Sequence, residues 1–282
     1  MQMGADHPDT LAASSCLAAL LVAQGRLDEA EPLHWQTLAR REAALGHEHP
    51  ETLQSVSGQA DLLEAGGRLQ EAEALRLRIL QWSERTLGMA HADTLLAVSR
   101  LARLLQAQGE LARAEPLFRR AAMGSRERLG VGHLSTLMRE DSHAAVLHSQ
   151  GQQEKAISAY RRLLDGREAA LGPEHPETLV TAGTLAELLE AEGEFSEAEA
   201  LYRRAFVVRE AKLGPDHPAT LSSAKSLAAV LKARDRPEEA KPLLGLLQAY
   251  LPLPDCSPRC EPPVPVSSEA LSCQSTRTPS MN

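Results

Sequence analysis

Histidines stand at positions 7, 49, 91, 133, 175 and 217, each 42 residues after the last, and nothing constrains the fold of this chain more than that unbroken period. A fixed period of this size marks a repeat architecture, in which one supersecondary unit is stacked on copies of itself. Other residues keep the same phase: Gly at 4, 46, 88, 130, 172 and 214, Thr at 10, 52, 94, 136, 178 and 220, and Leu at 11, 53, 95, 137, 179 and 221. The six copies contain no insertion or deletion relative to one another, so they are expected to share helix lengths and turns.

Within a copy the apolar positions fall at helical spacing, as with Leu179, Ala182, Ala186 and Leu189, then Ala198, Leu201 and Ala205, with turn residues between the two sets. Each copy therefore reads as two amphipathic helices, the first from Pro8 to Gln24 and the second from Leu27 to Leu45, with equivalents every 42 residues. Gly25, Gly67, Gly109, Gly151 and Gly193 are placed to end the first helices. In the stretch LGPEHPETL, Gly172 stops one helix and Pro176 occupies the first position of the next, where its missing N–H costs nothing. Glu177 meets the positive end of the helix dipole, and His175 falls near the N-cap, a position histidine does not favour. A shared metal would need ring nitrogens within ~2.1 Å of one ion, whereas packed helices stand ~8–10 Å apart. The periodic histidine is read as helix punctuation, and no metal site is expected.

Alanine occupies Ala18, Ala60, Ala102, Ala144, Ala186 and Ala228, and again Ala30, Ala72, Ala114, Ala156, Ala198 and Ala240. Side chains this small let neighbouring helices approach closely, so these are expected to be structural packing positions. Repeat four departs from the pattern, with Glu140, His143 and Ala159 replacing apolar stripe residues. It is expected to be the least stable unit.

Composition narrows the function. The net charge of −8 argues against a nucleic-acid partner, because that affinity rests on Lys and Arg neutralising phosphates. The N-terminus has neither a basic nor an apolar signal region, and the longest apolar run near residue 16 is far short of the ~20 residues that cross a bilayer. A cytoplasmic location without membrane insertion is expected, and Cys16, Cys256, Cys260 and Cys273 form no disulfide framework. Nucleophile elbow, zincin motif and phosphate loop are all missing, and the carboxylates recur at repeat-wide surface positions, so neither catalysis nor a cofactor is expected.

Residues 171–206, LGPEHPETLVTAGTLAELLEAEGEFSEAEALYRRAF, resemble the tetratricopeptide repeat, with Ala186 and Ala198 at its two small-residue positions and Tyr202 at its aromatic one. The length of 42 and the LGxxHPxT opening are similar to kinesin light chain and nephrocystin-type arrays. The eight residues beyond the familiar 34 are about two helical turns, which lengthen both helices without altering the stacking. The resemblance implies an all-α, right-handed superhelix of antiparallel helix pairs over residues 1–251, acting as an intracellular adaptor that binds a protein segment. The array begins abruptly, so the face bearing Leu17 and Leu20 is expected to want a covering surface, and self-association through uncapped ends is the rival reading.

The resemblance further implies that first helices line a peptide groove. Its family positions fall on Ser15, Ser57, Ser99, Asp141, Gly183 and Lys225, where kinesin light chains usually carry asparagine. Neighbouring inward positions are Asp61 and Glu64, Arg103 and Gln106, Ala145 and His148, Glu187 and Glu190, and Ala229 and Lys232. Over repeats two to five these sum to five acids against one base, so a basic or basic-amphipathic segment is the expected occupant. Residues 252–282, rich in Pro, Ser and Thr, are expected to be disordered. They carry a minimal PPVP proline motif, a TP phosphorylation candidate and three cysteines that lack metal-ligand spacing.

Overall fold

The structure, a computed structural model, describes residues 6–250. The expectations placed on the tail, and the glycine at position 4, lie outside the described residues. Twelve helices run through the described part as six antiparallel pairs: α1 (Pro8–Ala23) and α2 (Leu27–Leu45), α3 (Pro50–Ala65) and α4 (Leu69–Thr86), α5 (Ala92–Ala107) and α6 (Leu111–Leu129), α7 (Leu134–Ser149) and α8 (Gln153–Leu171), α9 (Pro176–Ala191) and α10 (Phe195–Leu213), α11 (Pro218–Ala233) and α12 (Pro237–Tyr250). Each helix packs on its neighbours in sequence, so the array winds as an all-α superhelix without a central core shared by all repeats. The first helix ends one residue earlier than the sequence suggests, because Gln24 is its C-cap.

The periodic histidine resolves into a helix cap. In all six copies it has extended backbone, and its Nδ1 accepts the amide N–H two residues on: Asp9, Glu51, Asp93, Ser135, Glu177 and Ala219, at 3.1 to 3.3 Å. The imidazole thus does what Ser, Asn or Asp does at other helix starts, using a ring nitrogen as acceptor. Capping does not depend on the proline that follows, since α5 and α7 begin on Ala92 and Leu134 with the same bond. In repeats three and five the periodic threonine closes the turn from the other side: Thr94 and Thr178 donate their hydroxyls to the carbonyls of Gly88 and Gly172 at 2.8 and 2.9 Å.

Each first helix ends in the same paired bonds. Beyond α1, Gly25 N–H reaches the Val22 carbonyl and Arg26 N–H the Leu21 carbonyl, which satisfies two orphan acceptors. The motif needs a left-handed residue, and five glycines supply it with φ between 70° and 82°. In repeat six Asp235 takes that place at φ 56°, which an aspartate tolerates better than most residues.

All twelve periodic alanines are buried, eleven with no exposed surface and Ala228 with 2%. Around them pack the leucines of the first helices, such as Leu185, Leu188 and Leu189, and the bulkier side chains Phe118, Tyr160 and Tyr202 of the second. No helix among the described residues is long and apolar enough to cross a membrane.

Successive pairs are also joined by a polar bridge with a spacing of fourteen residues. Arg41 donates to Ser55 at 2.8 Å, Arg209 to Ser223 at 2.6 Å, and Arg167 to Thr181. Between repeats three and four the partners exchange places, and Arg139 of the later helix donates to Ser125 of the earlier at 2.9 Å. Between repeats two and three the equivalent residues are Ser83 and Ala97, neither able to span the gap, and Ser83 turns back to the Leu80 carbonyl.

Two outcomes test this account. His175→Ala should lower the stability of the chain by about 1 kcal/mol in denaturant unfolding, while His175→Asp, which keeps an acceptor at the N-cap, should restore most of it. Ala186→Leu should lower the thermal midpoint, with overpacking costs of about 1–3 kcal/mol. An unchanged melting curve would remove the packing assignment.

Candidate functional site

The residues five, eight, twelve and fifteen positions after each capping histidine fall on one stripe of the first helix, because their spacings of three and four residues follow the helical turn. The opposite positions, such as Leu95, Val98, Ala102 and Leu105 of α5, are buried. Part of the stripe borders open hollows between successive first helices. Ser15, Ala19, Ser57 and Asp61 line one hollow of about 300 Å³ that spans α1 and α3.

A larger hollow, of about 810 Å³, opens between α3 and α5 above α4. Its walls are Leu53, Ile79, Trp82, Leu87, Leu96 and Ala97, with Arg76 and Arg100 at the polar edge. Among the described residues this is the one junction where the arginine bridge is missing. At the junction of α9, α10 and α11 Arg209 is present, and the corresponding hollow, lined by Leu179, Val180, Val208 and Leu213, shrinks to about 350 Å³.

Arginines from outside the counted positions reach the same stripe. Arg76 of α4, only 3% exposed, donates to Asp61 at 2.5 Å, Glu64 at 2.7 Å and Ser57 at 3.2 Å. Arg100 donates to Ser57 at 2.9 Å and lies 3.6 Å from Asp61. Arg167 of α8 holds Asp141 at 2.9 Å, and Arg139 bonds Ser99 at 3.2 Å. With these four guanidiniums counted, the acids expected to mark the channel are matched by bases. The physical reason is reach: Arg76 and Arg167 extend from second helices to the groove face, and Arg100 and Arg139 extend to it from first-helix positions beside the stripe, so a count over the stripe positions alone misses all four.

Among the acids, Glu187 is exposed and has no ion pair among the described residues. One turn on, Glu190 accepts the Tyr202 hydroxyl at 3.3 Å. Burial and the Glu190 carboxylate both push the Tyr202 phenol well above its usual range, so it stays a neutral donor. Gly183 leaves the surface beside this pair open, with no atom near the place a Cβ would take. Arg103, His148, Lys225 and Lys232 are exposed along the same stripe, and Gln106 is half-buried. Of the ten residues expected to line a groove, Asp61, Glu64 and Asp141 are held in internal ion pairs.

The sequence reading passed over the position five residues after the histidine. There Leu96, Met138 and Val180 are 44%, 61% and 54% exposed, one above the other in three successive repeats. An apolar residue recurring at an exposed site of a repeat was the available signal. Their lack of identity hid it.

No group of three or more His, Cys, Asp or Glu side chains placed to hold a metal occurs among the described residues.

The tetratricopeptide repeat family matches the chain over residues 133–211 and 185–245 by one profile and over 10–51 and 94–135 by another, together more than half of its length. No curated protein matches the chain in sequence. The crystal structure of a kinesin light chain-like protein of Podosopora anserina with nearly identical repeats is 25% identical, covers 75% of this chain and 99% of its own, and superposes with a TM-score of 0.66. BtubC from P. vanneervenii, 19% identical, covers 94% of this chain and 99% of its own at a TM-score of 0.58. A signal-transduction ATPase with a tetratricopeptide repeat sensor from Pyrococcus horikoshii, 14% identical, covers 85% of this chain but 36% of its own at 0.70. The last two show the fold alone. Family profiles, the six capped helix pairs and the superposition on kinesin light chain-like arrays agree: this chain belongs to the tetratricopeptide repeat family.

Proposed function

We propose that the chain is a non-catalytic scaffold which binds an extended segment of a partner protein along the channel of its first helices. The observation that carries this reading is the exposed row of Leu96, Met138 and Val180, which is continuous with the apolar hollow between α3 and α5. Exposed apolar side chains aligned in this way mark an interaction surface rather than a solvated face. With helices ~8–10 Å apart and an extended chain rising ~3.3 Å per residue, a bound segment advances about three residues per repeat. The matching partner has a large apolar side chain at about every third position.

The preference for basic residues is retained in local form. Glu187 and Glu190 are the channel carboxylates not bound to a guanidinium, so a basic side chain of the partner is placed against α9, while the arginine-rich stretch of repeats two and three favours none. Charge there sets the direction of the segment along the channel; apolar contact supplies most of the affinity.

Binding of the full chain to an array of acidic, basic and apolar peptides tests the reading. Peptides with apolar residues at every third position and one basic residue at an end should bind, Met138→Glu should weaken them about tenfold or more, and Glu187→Lys with Glu190→Lys should remove only the basic preference. A set of peptides that bind equally well to all variants would overturn it. Leu17 and Leu20, 50% and 61% exposed on α1, favour a second reading, pairing of two copies through that face. Sedimentation over a concentration series separates the two.

A further inference from the structure

Leu17 and Leu20 of α1 are 50% and 61% exposed, yet the residues at the same two positions of later repeats are covered. Gln59, Leu101, Leu185 and Leu227 are 1–3% exposed, and Leu62, Leu104, Val146, Leu188 and Val230 no more than 4%. What covers them is the second helix of the repeat before. Leu62 clusters with Leu27, Ala30 and Leu33 of α2, and Leu104 with Leu69, Ala72 and Leu75 of α4. Each of α3, α5, α7, α9 and α11 packs on such a helix, and among the described residues α1 does not. The molecule thus holds five occupied copies of one docking face and a sixth that is open.

A polar contact accompanies the apolar one. The covering helices α2, α4, α6 and α10 share the pattern Φ-x-x-Ala-Glu-x-Leu, where Φ is Leu or Phe; α8 departs from it, with Ile157 in place of the glutamate. In all four the glutamate meets a side chain of the following repeat: Glu31 meets Arg68 at 2.6 Å, Glu73 meets Arg113 at 2.6 Å and Gln108 at 3.2 Å, Glu115 meets His143 at 3.3 Å, and Glu199 meets Arg236 at 2.7 Å. Arg68 and Arg236 are held alike. Each grips the glutamate three residues on through Nε and Nη2, and turns Nη1 to the glutamate of the covering helix. Arg26 repeats the grip, with Nε and Nη2 on Glu29 at 2.7 Å, but its Nη1 reaches only the neutral side chain of Gln24 at 3.3 Å. Its side chain is 52% exposed, and Gln24 itself stands where Gln108 donates to Glu73. The clamp is built and lacks the second carboxylate.

We propose that the α1 face binds an amphipathic helix of another polypeptide, antiparallel to α1 and carrying Φ-x-x-Ala-Glu-x-Leu, with its apolar residues on Leu17 and Leu20 and its glutamate on Nη1 of Arg26. Apolar contact supplies the area, and the charge fixes register and direction. Ala13 narrows the partner further. It stands where Ser55, Thr181 and Ser223 accept from the arginine of the covering helix, so an arginine ten residues after the partner's glutamate would be buried without its acceptor. Helix α4, with Glu73 and then Ser83, is the template that fits. A second copy stacked end to end does not, because α12 has Lys241 at the place of the glutamate and would set it against Arg26. Neither leucine lies on the stripe of the channel, so the two surfaces are separable.

Titration of the full chain with a fluorescent peptide of the α4 sequence, residues 69–86, tests this. The peptide should bind, and Glu73→Lys within it, which copies α12, should weaken binding about fivefold or more at low salt. In the chain, Leu20→Lys should weaken binding about tenfold or more without changing the thermal midpoint, since Leu20 is exposed. Arg26→Glu should weaken the original peptide and strengthen the Glu73→Lys one, a reversal that lost packing alone would not produce. Met138→Glu, which alters the channel, should leave this binding unchanged. No binding, equal binding of the two peptides, or sensitivity to Met138→Glu in place of Leu20→Lys would each overturn the proposal. Sedimentation showing that the chain pairs with itself through Leu20 while the peptide does not bind would assign the face to a second copy, and would overturn it too.

Discussion

The close approach of helices at the two periodic alanines sets the geometry of everything else in this protein. With no side-chain atom beyond Cβ at either position, the backbones of a pair come together at the same depth in all six copies, and the leucine ridges above and below then interdigitate in one register. Because each repeat touches only its neighbours, no distant contact corrects an error at one junction. The unbroken period of 42 and the unbroken alanines are two expressions of one requirement.

Between pairs the requirement is looser, and the arginine bridge shows how. A buried guanidinium is stabilised by hydrogen-bond acceptors, and a hydroxyl fourteen residues away supplies one whichever helix carries the arginine. The exchange of Arg and Ser between repeats three and four preserves the bond while reversing its direction. Where both partners shrink, at Ser83 and Ala97, the helices do not collapse into the gap, since the alanine contacts on either side fix their spacing. The widest part of the channel is the consequence. Function in such an array is written in the positions that the packing leaves free.

Neutralisation within the channel has the same origin. Arg76 draws Asp61, Glu64 and Ser57 into one network, so carboxylates that look available in a list are already spent. What remains exposed in repeats three to five includes the apolar row of Leu96, Met138 and Val180 beside Arg103 and His148, and the carboxylates left without a guanidinium lie on α9. Repeat four, the irregular unit, carries Glu140 and His143 off the stripe, and Met138 keeps its place in the apolar row.

The sequence by itself determined the helices, their ends and their stacking. Each of these depends on residues within one turn or one repeat: His175 on the Glu177 amide, Gly193 on the carbonyls just before it, Ala186 on the helix that follows directly in the chain. Local interactions of that kind recur with the period and can be read from it. Tertiary structure alone decided which channel charges are free, because Arg76 lies 15 residues from Asp61 and Arg167 lies 26 from Asp141, distances across which only the packed helices set the partners. It also decided that Glu140, His143 and Ala159, three separate irregularities on two helices, form one cavity, since their convergence depends on α6 closing over them from the preceding repeat.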